Sequence, residues 1–296
     1  METRILKYFL TIAKTKNITQ AAQKLHITQP TLSRQIKQLE NELHTTLFIR
    51  GKREIQLTAQ GRILERKAND ILTMINQTKE EISLFDNHEL SGFINLGYVE
   101  SHVAQFVDEL IAQFQAKYPL IRFNTYSADS DDIKEKIDSG LLDLGFLIEP
   151  VEAAKYHLIK IPIYERWGIF VNHNHPLASK QTINAEDLND YPMIFPRRSL
   201  VQNELTSVIG INPEKINIKL TINLSANAFY FIEKYNYCML SIDGISYLNS
   251  SPEICFIPFE NYFQTGHMLA WRKNKRYSKA VQTFIEFTKK QLTHLS

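Results

Sequence analysis

Apolar positions at Ile18, Ala21, Ala22 and Leu25 recur at i, i+3, i+4 and i+7, so one face of a short helix is hydrophobic, and Thr19 is placed to cap its start. A tight turn follows. Thr28 then offers a second cap, Gln29 and Pro30 open a helix where a missing N–H costs nothing, and Leu32, Ile36, Leu39 and Leu43 form its buried stripe. After Thr58, another cap, no proline or glycine interrupts residues 62–90. There Leu64, Ala68, Ile71, Ile75, Thr78, Ile82 and Phe85 alternate spacings of four and three, the seam of a left-handed coiled coil. An amphipathic helix packed on its own domain would carry the same pattern. Beyond Ser91 and Gly92 the period changes. Strands at 93–98, 121–126 and 142–148 alternate with helices at 103–117 and 131–139. Further strands follow near 167–171, 192–195, 216–222 and 237–241, with helices from Leu200 and over 277–292. Strands alternating with helices predict a parallel α/β sheet.

On the second short helix, Pro30, Arg34, Lys37 and Asn41 point away from the buried stripe, flanked by Gln29, Thr31, Ser33 and Gln38. Amide, hydroxyl and cationic groups on one face suit base edges and phosphates, although any surface helix turns polar residues outward. Charge distribution favours the nucleic-acid reading. Residues 1–66 hold 12 Lys/Arg against 5 Asp/Glu, leaving 22 against 27 for the rest, so the net +2 of the chain conceals a basic head on an acidic body. Arg50, Lys52 and Arg53 surround Gly51 in a short turn that can touch phosphates, or simply be solvated.

The run from Leu6 to Gly61 resembles the winged helix-turn-helix of the LysR-type transcriptional regulators. The matching elements are Tyr8-Phe9-Leu10, Ala21-Ala22 with Leu25, Gln29-Pro30 with Ser33, Ile36 and Leu39-Glu40, then Leu47-Phe48-Ile49-Arg50 with Arg53, Leu57-Thr58 and Gly61. Two departures are Asn17-Ile18, where the family often has Ser-Phe, and His44, where it often has Gly. The resemblance implies that Phe48 to Leu57 is the wing, that the long helix dimerises, and that the chain is a homodimer and a homotetramer on double-stranded promoter or operator DNA. The expected DNA contacts are Thr28, Gln29, Pro30, Thr31, Ser33, Arg34, Lys37, Arg50, Lys52 and Arg53. A dimer presenting two reading heads is what a two-half-site operator requires.

With 296 residues and about 60 in the helix-turn-helix, a second core is expected. The region from residue 91 resembles, more loosely, the family's effector-binding part, which has the fold of periplasmic binding proteins. Gly92 with Leu96-Gly97, Gly140-Leu141-Leu142-Asp143-Leu144, His175-Pro176-Leu177 and Asp187-Leu188 carry the likeness, while Ala128 and Asn236 stand where glycines are frequent. The expected fold class is therefore α/β with an N-terminal all-α winged helix-turn-helix. The expected division is 1–58 for DNA binding, 59–90 for the linker helix and 91–296 for the two-subdomain effector domain. Crossing strands near 160–163 and 264–267 would separate subdomain I (91–161 and 267–296) from subdomain II (162–266).

Ligands in open α/β sheets sit beyond the carboxyl ends of strands, at helix N-termini that favour anions. This singles out Ser101 and His102 after the first strand, Ser127 and Asp129 after the second, and Arg197, Arg198 and Ser199 in the other subdomain. In the family a Ser or Thr at the Ser101 position commonly contacts the effector; helix capping explains Ser101 and Ser127 equally well, and Arg197 and Arg198 can be solvated loop charges. Hydroxyls and guanidinium groups converging on a cleft predict a small anionic metabolite.

The remaining chemistry is sparse. Cys238 and Cys255 are the only cysteines, and Cys238 lies in an apolar run, so burial rather than a redox pair is expected. His173 and His175 flank a turn without a cysteine cluster, so neither a metal nor a cofactor is expected. The first residues do not read as a signal peptide and no apolar run reaches the roughly 18 residues of a membrane span, which predicts a cytoplasmic protein. No nucleophile elbow, His-Glu-x-x-His pair or glycine-rich phosphate loop is present, so the chain is not read as an enzyme. Two alternatives stand beside the effector-controlled regulator: an architectural DNA binder without effector, and an enzyme with a cleft site lacking a local signature.

Overall fold

Helix α1 (Thr3–Thr15) buries Ile5, Phe9 and Ile12 against α2 (Ile18–Lys24) and α3 (Gln29–Glu42), whose Ala21, Ala22, Leu32, Ile36 and Leu39 complete the first core. Ala21 and Ala22 are the reason the helices approach so closely: a larger side chain on either would part them. These details come from a computed structural model that describes residues 1–51, 54–83, 89–212, 215–248, 251–261 and 264–293. The chain packs as two units, Met1–Asp86 and Asn87–Ser296.

The caps differ in part from expectation. Asn17, not Thr19, caps α2, its side chain accepting from the Thr19 and Gln20 N–H groups, because the helix starts two residues earlier. Thr28 holds the N-cap position of α3, but its hydroxyl pairs with that of Thr31 at 2.8 Å rather than capping. Leu43 stands beyond the last turn of α3 and is 37% exposed, so it leaves the buried stripe. Next to it His44 takes the left-handed conformation (φ 50°), which explains why glycine is favoured at this place. The wing is a two-stranded hairpin, β1 (Phe48–Arg50) with β2 (Ile55–Leu57). Glu40 on α3 accepts from the Leu47 N–H at 2.8 Å and so ties the wing to α3.

Thr58 caps α4 (Ala59–Ser83) by accepting from the Gly61 N–H at 2.9 Å. Of the heptad seam, Ala68 is buried in the protomer, whereas Ile71 is exposed and Ile82 is 70% exposed; Phe85 lies outside the described residues. No described helix is long and apolar enough to cross a membrane.

The second unit opens as three parallel strands with two helices: β3 (Gly92–Tyr98), α5 (Val103–Lys117), β4 (Ile121–Ser127), α6 (Ser130–Ser139) and β5 (Leu144–Ile148). Then comes β6 (Tyr156–Asn172), followed by β7 (Met193–Pro196), α7 (Ser199–Ile209), β8 (Ile218–Ile222), α8 (Phe229–Tyr235), β9 (Cys238–Ile242), β10 (Ile254–Pro258), β11 (Gln264–Arg272) and α9 (Lys279–Thr293). The strand order is β4-β3-β5-β11-β6-β9-β7-β8, with β10 also on β6. Over Tyr156–Arg166, β6 pairs with β11, which in turn pairs with β5; beyond Trp167 it pairs with β9 and β10. Two parallel α/β halves are thus joined by one antiparallel ribbon, β6 with β11. Of the two positions where glycine is frequent, Asn236 adopts φ 58° at the end of α8, while Ala128 keeps an ordinary backbone and is buried.

Candidate functional site

In the first unit, Thr28, Gln29, Pro30, Arg34 and Lys37 are exposed, with Thr31 and Ser33 half-buried beside them, because Leu32, Ile36 and Leu39 face the core at helical spacing. Among the described residues the side-chain partners of these groups lie three or four positions away on α3 and its cap. Gln29 Nε2 donates to Ser33 Oγ at 2.8 Å, Thr28 bonds Thr31, and Lys37 lies 3.7 Å from Glu40. Arg34 enters no ion pair among the described residues. Such short, exposed pairs exchange for base edges at low cost. Lys52, Arg53 and the Arg50 side chain lie outside the described residues.

In the second unit a pocket opens beyond the carboxyl ends of β3, β4, β5, β7, β8 and β9, where the topology directs a ligand. Its wall is mainly apolar: Val99, Ile148, Trp167, Val201, Ile222 and Ile245. Ser130, Ser225 and Ser241 add hydroxyls, and Glu100 adds a carboxyl that burial pushes above its usual range. Glu100 Oε2 and the Trp167 indole N–H are buried without a hydrogen-bond partner among the described residues.

Of the residues expected to bind an effector, Asp129, Arg197 and Arg198 line this pocket; Ser101, His102 and Ser127 do not. Ser199 begins α7, and its side chain is not among those described. Ser101 is fully buried and hydrogen-bonds His267 Nε2 at 2.8 Å. His267 Nδ1 faces the Ile163 carbonyl at 2.9 Å, an acceptor, so Nδ1 carries the proton and Nε2 receives the Ser101 hydroxyl proton. Burial lowers the His267 pKa to about 4 and keeps the ring neutral. This Ser–His pair is not part of the pocket lining and fixes the start of α5 to β11. Ser127 ends β4 on its exposed face. His102 turns to the buried Glu165, its Nδ1 at 3.1 Å and its backbone N–H donating at 2.8 Å.

The arginines are committed to carboxylates. Arg197 Nε donates to Asp129 Oδ2 at 2.7 Å and Nη2 meets Asp132 at 2.6 Å, and these bonds hold its guanidinium in the charged form. Asp129 at the same time caps α6 by accepting from the Asp131 and Asp132 N–H groups. Arg198 is buried, with Nε 3.3 Å from Asp131 and its Nη atoms donating to the Ile148 and Pro150 carbonyls. Three aspartates therefore surround two arginines, so the guanidinium groups on the pocket lining come with carboxylate partners. The sequence reading missed Trp167, Ser225 and Ser241, which only the folding of β6, β8 and β9 around one pocket brings together.

The cysteines flank Val171 from opposite sides: Cys255 pairs with it on β10, and the β9 register places Cys238 across from it. Two strand spacings, about 10 Å, separate them, too far for a disulfide. Burial pushes the Cys238 thiol up to about 12. His175 Nδ1 accepts from the Leu177 N–H and its Nε2 lies 3.4 Å from Cys238 Sγ, so this ring is a buried structural group, apart from the exposed His173.

The family model for a bacterial regulatory helix-turn-helix protein of the lysR family matches residues 3–62, and the model for a LysR substrate binding domain matches 87–293. Among relatives, the HTH-type transcriptional regulator AlsR of Bacillus subtilis is 34% identical over 194 residues, which span 66% of this chain and 64% of AlsR. The uncharacterized HTH-type transcriptional regulator YybE of the same organism is 36% identical over 217 residues, 72% of this chain and 74% of YybE. Two solved structures share the fold at 20% identity. CbnR complexed with its target DNA has a TM-score of 0.73, covering 98% of this chain and 99% of that one; CbnR alone has 0.75, covering 99% of each. With a reading head and a pocket-bearing α/β unit each matched by its own family model, the chain belongs to the LysR family of bacterial helix-turn-helix regulators.

Proposed function

We propose that the chain is a sequence-specific transcriptional regulator of the LysR type, not an enzyme, acting in the cytoplasm as a dimer or tetramer on promoter DNA and answering to a small molecule held in the second unit. The exposed polar face of α3 on a basic head carries the reading. Gln29 and Ser33 meet base edges in the major groove; Arg34, Lys37, Arg50, Lys52 and Arg53 meet phosphates; Thr28, Pro30 and Thr31 set the entry of the helix. The exposed apolar row of α4 supplies a dimer seam.

For the effector, the pocket favours a small, mainly apolar molecule over an anion. Its wall is mainly apolar, its arginines are paired with three aspartates, and three buried lining atoms lack a hydrogen-bond partner among the described residues: Glu100 Oε2 asks for a donor, and the Trp167 and Arg198 Nε N–H groups ask for acceptors. Asp129, Arg197 and Arg198 then shape the rim. Thermal unfolding of the full chain against matched neutral and carboxylate compounds tests this. A ligand at about 100 times its Kd adds roughly 2.7 kcal/mol of stability. Stabilisation by neutral compounds, abolished by Trp167→Phe, is expected; stabilisation by carboxylates alone overturns the chemistry assigned to the pocket. Equal affinity for operator and random DNA would instead favour the architectural reading.

A further inference from the structure

Outside the pocket lining, three side chains from three elements meet: His102 at the start of α5, Glu165 on β6 and Asp243 in the turn after β9. One ligand atom from each lies within 4.8 Å of the others, and His102 Nδ1 stands 3.1 Å from Glu165 Oε2. Glu165 is fully buried, whereas the His102 side chain is 46% exposed, so the cluster is closed on its protein side and open to water at the imidazole. Glu165 Oε1 accepts the His102 backbone N–H, but Oε2 is buried with no hydrogen-bond partner among the described residues. A Cβ on Gly244 would come within 2.0 Å of that same oxygen, so the residue without a side chain is what admits the Glu165 carboxylate at this place.

Asp243 is already paired with the Arg166 guanidinium, but Glu165, buried beside it, keeps Oε2 without a hydrogen-bond partner among the described residues and faces the His102 imidazole. A dication answers both acids and the imidazole together. We propose that His102 Nδ1, Glu165 Oε2 and an Asp243 carboxylate oxygen form a three-ligand site for a divalent first-row transition ion of the zinc type, with solvent completing its coordination. An imidazole among the donors selects against Mg2+ and Ca2+, which take oxygen ligands. Ligands of one tetrahedral ion at about 2.1 Å stand roughly 3.4 Å apart, close to the His102–Glu165 separation. Arg166 donates its backbone N–H to Asp243 Oδ1 at 2.9 Å and its Nε–H to Oδ2 at 2.8 Å, which orients the carboxylate and leaves each oxygen a lone pair.

The full chain, freed of metal by chelator and dialysed, is titrated with Zn2+ against a chromophoric chelator, with the visible bands of Co2+ as a second readout and Mg2+ as control. One site per chain is expected. His102→Ala and Asp243→Asn should each weaken it by about tenfold or more, while His173→Ala, at an exposed imidazole elsewhere, leaves it unchanged. Absence of a stoichiometric Zn2+ site, or a site indifferent to both substitutions, overturns the proposal. Circular dichroism checks that the variants fold; should His102→Ala not fold, Asp243→Asn decides alone.

Discussion

The reading face of α3 and the rim of the pocket both gather polar groups, yet they hold them in opposite ways. On α3 the partners are neighbours one turn apart on an exposed surface, Gln29 with Ser33 and Thr28 with Thr31. At the pocket they come from distant parts of the chain, Arg197 with Asp129 and Arg198 with Asp131, and Arg198 is buried. Exposed local pairs contribute little stability and part readily for a new partner, whereas pairs with one partner buried, as Asp129 and Arg198 are, hold distant segments together and are less screened by salt. The first arrangement suits reading a polyanion; the second builds a wall. Counting arginines near a cleft therefore says little about the charge of its ligand until the carboxylates around them are counted too.

The largest effect that could break this contrast is at Arg198. Its replacement by alanine takes a buried donor from the Ile148 and Pro150 carbonyls, while Asp131 keeps Lys134, and should cost about 2 kcal/mol in denaturant unfolding, with little dependence on salt. A loss below 0.5 kcal/mol would place this pair with the surface ones. Arg34→Ala should reverse the pattern: roughly 1–3 kcal/mol of DNA affinity and about one unit of the salt slope disappear, while the melting temperature stays put. Should melting fall with affinity, Arg34 supports the fold rather than the contact. Asn17→Ala removes the cap of α2 and should destabilise the head by about 1 kcal/mol, read by chemical denaturation. The smallest effect is titration. Burial holds the His175 pKa below its ordinary value, so the unfolded chain takes up the proton first as pH falls below about 6.5, and stability declines there. His175→Asn, which can still accept from Leu177, should flatten that decline; an unchanged slope assigns it to other groups.

What could be read from the chain follows from where partners sit. Helix α5 emerges over Val103–Lys117 as its apolar period and Pro119 dictate, and α3 buries its stripe except at Leu43, where the helix has already ended. From its own pattern strand β6 was legible only near its buried end, 167–171, and the crossing near 160–163 came from the family resemblance alone. Its first half has half-buried and exposed residues mixed along it and shows no clean alternation, so the 17-residue strand stayed hidden. At the pocket, a serine between a strand and a helix has the same local signature whether it caps, binds ligand or holds a histidine. His267, 166 residues away, decides for Ser101. Asp129 was singled out for an effector; its cap on α6 is a local signal that the sequence could have given, whereas its bond to Arg197 spans 68 residues and could not be read.

Because one unbroken strand, β6, runs through both halves of the second unit with β11 beside it, the halves cannot slide along each other in small steps. A slip of one residue between these strands would turn every side chain of the ribbon to the opposite face and expose what is now core. Relative motion of the halves is thereby restricted to twisting and bending about the ribbon, in the manner of a torsion bar, with the ladder interrupted between Thr265 and His267.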